Sequence, residues 1–235
     1  MSTGTLLLRL AGPMQSWGTQ SRFSERDTGL EPSKSGVIGL ICAAMGIARG
    51  DEDTLAELAG FWMGVRVDRE GSLLRDYQVV GGGKWPDLDN YRIYKADGGL
   101  YSFPVPSNRY YLADAVFLVA LGGPVDRLER IQHALKNPVW PLFLGRKSFV
   151  PSEPVWLEDG LREEEPERVL RTRKWLCGDP LDPKAPEYLR LVLECGPDQG
   201  QRRMDRPVSF AFGARRYAVR YVRTDSVATR TLERE

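Results

Sequence analysis

Residues 10–47 read LAGPMQSWGTQSRFSERDTGLEPSKSGVIGLICAAMGI, and the fold turns on how this stretch changes texture. It begins as an apolar strand ends and closes as an apolar helix runs out. Between them lies a long loop carrying Gln15, Trp17, Gln20, Arg22, Phe23, Arg26 and Thr28. Loops of this length inside domains are uncommon and usually functional. The helix start is well marked: Pro32 precedes Ser33, a good N-cap, and Val37, Leu40, Ile41, Ala44 and Met45 recur at helical spacing. Gly36, Gly39, Ala43 and Ala44 leave room for close approach to a sheet. The free N–H groups of the first turn, beside Lys34, form an anion site on paper. No GxxxxGK[ST] or GxGxxG spacing is present, which points to a phosphate on a polymer rather than on a mononucleotide. The same residues equally describe a capped helix packed on a sheet beneath a solvated loop.

Working outward, residues 5–10 read as a first strand and 51–59 as a short helix with acidic residues in its first turn, as the helix dipole favours. Residues 61–67 and 73–80 follow as strands, with Gly81, Gly82 and Gly83 as a hinge. YRIYK and LYSF flank ADGG over residues 91–103, and their Asp-Gly pair predicts a hairpin. Its exterior carries Arg92, Tyr94, Lys95 and Tyr101. Residues 111–121 form a core strand, 125–136 a helix burying Val125, Leu128, Ile131 and Leu135, and 139–155 a returning strand region with Arg146 and Lys147 beside a glycine. The order β-α-β-β-α-β fits an α+β protein with a ferredoxin-like, RRM-like core. That core is expected to span residues 1–155 with a hairpin inserted at about 84–108, followed by a β-rich C-terminal extension, 156–235. Within the extension, 158–186 reads as irregular, and 188–194 and 208–223 read as strands. Phe210 and Phe212 share one face of the last strand and are expected in the core. The residues from Asp225 onward are expected to fray.

The 235 residues are 42% hydrophobic and 28% charged, ordinary for a soluble globular chain. No apolar run approaches bilayer length, and LLLRL lacks the flanks of a signal peptide. Cys42, Cys177 and Cys195 stand far apart without CxxC spacing, which suggests a reducing, cytoplasmic setting and no metal site. The net charge of +1 conceals an uneven distribution: EDGLREEEPE at 158–167 is acidic, whereas nine arginines face four carboxylates from Gln201 onward. A phosphate-tracking surface need only be local. The single histidine, His133, falls on the polar side of its helix. No Ser-His-Asp, HExxH or paired-carboxylate constellation is evident. A Tyr77–Lys84 acid–base pair remains a second possibility.

LAGPMQSWG followed by RDTGLEPSKSGVIGLICAAMGIAR resembles the N-terminal signature of the CasD family of type I-E CRISPR Cascade subunits, within the RAMP superfamily. LRDYQVV at 74–80, YLADAVFLVAL at 111–121 and PLFLGRKSFVPSEPV at 141–155 continue the similarity in order. Beyond Val155 the match is loose. The resemblance implies a non-catalytic RNA-binding subunit that caps the repeat-derived 5′ handle of the guide RNA, with the inserted hairpin as a thumb. The implied partners are the CasC backbone subunit, the CasA large subunit and, through the complex, target DNA. No cofactor is implied. On this reading Gln15, Trp17, Arg22, Arg26, Ser33, Lys34, Ser35, Arg92, Tyr94, Lys95, Arg109, Arg146 and Lys147 are the candidate RNA contacts. A second reading of the same residues has Trp17 plugging the core, Arg109 pairing with Asp76 or Asp114, and Arg146 capping a strand end. Two other classes fit the same residues: a metal-independent, repeat-specific endoribonuclease of the superfamily, and a structural subunit that touches only protein.

Overall fold

A computed structural model describes residues 2–18, 24–81, 93–95, 97–99 and 103–234. Eleven strands are described: β1 Thr3–Ala11, β2 Met14–Gln15, β3 Glu25–Arg26, β4 Trp62–Arg69, β5 Ser72–Val80, β6 Val105–Ala113, β7 Val116–Pro124, β8 Trp156–Arg162, β9 Tyr188–Cys195, β10 Gln201–Ser209 and β11 Arg216–Ala228. The α-helices are α1 Lys34–Met45, α2 Glu52–Ala59, α3 Val125–Lys136 and α4 Pro166–Thr172. The fold is mixed α+β, the class expected, with antiparallel pairing everywhere except the short parallel β3–β6 pair.

Seven strands form one sheet in the order β10-β11-β9-β4-β7-β1-β8, antiparallel at every step. Within it the succession β1-α1-β4-β7-α3-β8 occupies the spatial order β8-β1-β7-β4. The run TLLLRL in β1 is buried on both faces, and its period-two alternation divides the core. Leu6, Leu8 and Leu10 pack under α1, α2 and α3, together with Ile38, Ile41, Leu58 and Ile131. Leu7 points the other way, among Leu118, Leu170, Leu191 and Leu193. A second sheet is built on β6, which pairs with β5 along its length and with β2 and β3 on its other edge.

Helix α1 begins where its sequence says and ends at Met45, two residues short of the apolar run. Ser33 is extended, and its Oγ accepts from the Gly36 N–H at 3.3 Å. At the other end Gly46 takes φ +71°, and the Ile47 N–H reaches back to the Cys42 carbonyl at 2.9 Å.

Four expectations are corrected. Residues 139–155 form turns, and the returning strand is β8, which starts just beyond them. The span 158–186 is not irregular throughout, since it contains most of β8 and all of α4. What anchors it is invisible to periodicity. Arg66 on β4 is fully buried, pairs with Asp68 at 2.6 Å, and donates to the carbonyls of Leu170, Arg173 and Lys174. The strand expected over 208–223 breaks at residues 210–215, where the chain turns from β10 into β11. The C-terminus does not fray at Asp225: β11 runs to Ala228, and Thr229 and Leu232 are buried.

Candidate nucleic-acid interface

The expected anion site at the start of α1 is occupied by the protein's own groups. Asp205 on β10 lies there, with Oδ2 accepting from the Lys34 backbone N–H at 2.9 Å. The Lys34 ammonium is buried and donates to Glu194 on β9 at 2.8 and 2.9 Å and to the Phe61 carbonyl at 2.6 Å. Burial pulls that ammonium below its ordinary value, against the opposing pull of Glu194. Asp205 in turn accepts from Arg220 at 2.6 and 3.0 Å. Burial alone would raise the Asp205 carboxyl, but Arg220 and the Lys34 N–H outweigh it and hold the group below its ordinary range. Lys34 therefore does not offer its charge to a ligand. It ties α1 to the C-terminal strands.

Gln15 and Trp17 are internal for the same reason, that a polar atom leaving water must find a partner. Gln15 Nε2 donates to the carbonyls of Ala115 and Leu10, and its Oε1 accepts from the Trp17 indole at 3.2 Å. The Trp17 ring is 1% exposed and lies against Gly36, where an added Cβ would come within 2.8 Å of Cε3. Both side chains are buried, and Trp17 takes the core-plug alternative. Ser33 is buried as the N-cap, and Ser35 stands half-buried above it.

The structure gathers Arg26, Arg109 and Arg146. Arg26 on β3 is the register partner of Arg109 on β6. Arg146 reaches the same edge and donates from Nη2 to the carbonyls of Tyr110 at 2.9 Å and Arg26 at 3.1 Å. Its guanidinium lies 5.5 Å from the Phe149 ring. Burial first, then the neighbouring Arg109 and Arg26, draw Arg146 below its ordinary value, with Asp76 and Asp27 acting the other way. Arg109 faces Asp76 across the β5–β6 ladder and donates to Ser107 Oγ at 3.2 Å. Lys147 is exposed beside them. Tyr94 is exposed, and Lys95 opens a tight turn in which its N–H reaches the Gly99 carbonyl at 2.6 Å. That turn holds the Asp97–Gly98 pair, with Gly98 at φ +83°. Arg22, Arg92, Lys84, the Gly82–Gly83 pair and the strands expected around the turn lie outside the described residues.

From the arginine cluster a groove of about 1090 Å³ follows the outer face of α1. Its floor includes Gly36, Gly39 and Ala43. Trp140, Phe143, Met204, Phe210 and Tyr217 supply its large apolar and aromatic lining. Arg26, Arg49, Arg146, Arg215 and Lys147 line it against two carboxylates, Asp27 and Asp51. A local positive excess thus exists on a nearly neutral chain. Sequence reasoning missed Arg49, Trp140, Arg215 and Tyr217, which reach the groove from segments far apart in the chain. Their only local signals are an aromatic between prolines, PVWP, and the arginine pair in GARR.

The whole-chain comparisons agree with one another. Residues 5–223 match the family described as CRISPR-associated protein (Cas_Cas5). The chain belongs to the CRISPR-associated Cas5 family. One curated relative, the CRISPR system Cascade subunit CasD of Escherichia coli (strain K12), is 33% identical over 186 residues, covering 74% of this chain and 79% of the relative. Among solved structures, a chain of a CRISPR RNA-guided surveillance complex matches with TM-score 0.80 at 36% identity, covering 97% of this chain and 92% of that one. The crystal structure of a Cas protein matches with TM-score 0.75 at 40% identity, covering 98% of both chains. The Cas5 likeness therefore extends through the C-terminal strands, beyond the point where the sequence motifs become loose.

Proposed function

We infer that this Cas5 protein is a crRNA-binding subunit of a type I-E Cascade complex and that it caps the repeat-derived 5′ handle of the guide. The observation that carries the reading is the basic, aromatic groove along α1, found in a chain whose relatives include a Cascade subunit and a surveillance-complex chain. Arginines and lysines hold phosphates and so fix register, while unstacked bases pack on aromatic and apolar surface. Arg26, Arg109, Arg146 and Lys147 are the phosphate contacts of this reading. The spatial order β8-β1-β7-β4 supports a ferredoxin-like core, and the long β5–β6 pair supports a projecting thumb carrying Tyr94 and Lys95. The role is binding without catalysis, in the cytoplasm, with CasC and CasA as protein neighbours. The groove's five cations suit the retention of a polyanion, and His133 stands apart from them on α3.

Purifying the tagged protein from its own host, with its complex, tests the reading. Short RNAs sharing one repeat-derived 5′ end should accompany it. The exposed pair Arg26→Glu with Lys147→Glu should then lower guide retention in a salt-dependent way. Each lost phosphate contact on a single strand reduces the slope of log affinity against log salt by about 0.7. Heterogeneous RNA, or retention unchanged in the double variant, overturns it. Cleavage of repeat RNA by the purified protein without metal would favour the endoribonuclease instead.

A further inference from the structure

Phe210 and Phe212 separate in the folded protein, although the sequence places them two residues apart on one strand. Phe210 folds back over α1 and packs against the core beside Gly39. Phe212 stands at the tip of the β10–β11 turn with 94% of its surface exposed, more than any other large hydrophobic among the described residues. A lone exposed apolar side chain needs no explanation by itself. This one stands in a particular place. The residues on either side of the tip, Phe210 and Arg215, both line the basic groove.

The tip is also held in shape before anything binds. The Ala211 N–H donates to Ser209 Oγ at 3.2 Å, and the Ala214 N–H closes onto the Ala211 carbonyl at 3.1 Å. Gly213 takes φ +74°, which a side chain rarely adopts. On the outgoing strand Arg216 donates to both carboxylate oxygens of Glu52 on α2 at 3.1 Å. A turn pinned on both sides loses little freedom when a ligand arrives.

We propose that Phe212, with Arg215 three residues on in the same turn, is a stacking platform for one unpaired nucleobase of the RNA strand as it leaves the groove. The inference rests on the groove being the RNA site. A phenyl ring with no polar handle accepts the face of any base, and a neighbouring guanidinium supplies a phosphate partner. A protein pocket would have to satisfy the ring while meeting Arg215 and Arg49 with carboxylates. The groove's own excess of cations favours the polyanion. The platform adds affinity with little preference for sequence.

The test uses the protein assembled in its complex with guide. Phe212→benzoylphenylalanine, irradiated in the purified complex, should give an adduct at one guide nucleotide, mapped as a reverse-transcription stop. An adduct to protein alone, or no RNA adduct, overturns the platform. Phe212→Ala should weaken guide retention in a salt series by roughly tenfold, while Phe212→Trp restores it. If Phe212→Ala retains guide like the unmodified protein while Arg26→Glu with Lys147→Glu loses it, the platform fails and the groove reading stands. If neither change affects retention, both fail.

Discussion

The residue that most changed its meaning on folding is Lys34. In the sequence SKSG it stands beside free helix N–H groups and reads as half of a phosphate site. In the folded protein the nearest anions are carboxylates on β9 and β10, brought there by sheet pairing that no local signal announces. The electrostatic logic of a helix N-terminus was legible, but the identity of its anion was not. Asp205 therefore carries a stability role. Asp205→Ala should leave Arg220, 6% exposed, without its partner and should lower the unfolding free energy by about 3–5 kcal/mol in a urea titration. The sign of the pH dependence follows from the carboxyl lying below its ordinary 3.8 in the fold. The unfolded chain takes up the proton first, so the contribution is present above that ordinary value and is lost as pH falls through the lowered one. Acid titration of stability should thus be steeper for the unmodified protein than for Asp205→Ala. Parallel curves would remove Asp205 from this role.

Among the elements, the loop over residues 140–147 bears most directly on the groove because it delivers Trp140, Arg146 and Lys147. Its geometry depends on Gly145, at φ +102°, where an added Cβ would lie 1.9 Å from the Ser16 carbonyl oxygen. Backbone contact of that kind cannot be relieved by a rotamer. Gly145→Ala should cost about 1–3 kcal/mol from the disfavoured backbone conformation, with the clash in addition. It should also move Arg146 away from Tyr110 and so weaken guide retention in salt. Gly50→Ala, where the new methyl meets nothing within 4 Å, should leave the unfolding midpoint and guide retention unchanged. Three of the four helices were legible, with Ser33 marking the start of α1 and Leu128, Ile131 and Leu135 the buried stripe of α3, whereas α4 lay in a span that read as irregular. Strand limits were less so. The apolar run at 111–121 is interrupted by Asp114 at φ +56°, which separates β6 from β7 and sends them into different sheets. The residues 208–223 carry enough β-formers to look continuous, yet Gly213 turns them. Period-two patterning reports which face is buried and is silent about where the chain leaves the sheet.

At the scale of the whole molecule, the seven-stranded sheet takes strands from both sides of residue 155, where the sequence reading expected a core to end and an extension to begin. β9 pairs with β4 from Gly64 to Val67, so the extension continues the sheet that β1 and β7 began. β8, which begins at Trp156, closes the other side of β1. A chain ending at residue 155 would lose both neighbours. Leu7 and Leu118 would lose the cover of Leu170, Leu191 and Leu193. Lys34 would lose Glu194, and Arg66 the three carbonyls of residues 170, 173 and 174. Arg66 keeps Asp68 but loses the carbonyls that satisfy the rest of its guanidinium, while Lys34 loses its carboxylate outright; added to the lost apolar cover, these changes are comparable to the net stability of a typical domain. A fragment of residues 1–155 is therefore expected to lack fixed tertiary structure, measured as loss of the near-ultraviolet circular dichroism of its tryptophans and of amide dispersion in NMR. The full chain should unfold in one cooperative transition reported alike by both halves. If instead the fragment gave native-like spectra, the strands after residue 155 would be an accessory layer. The α1 and 140–147 parts of the groove would then hold their shape without Asp205 fixing the start of the helix to β10, and truncation would remove only the lining of Met204, Phe210, Arg215 and Tyr217.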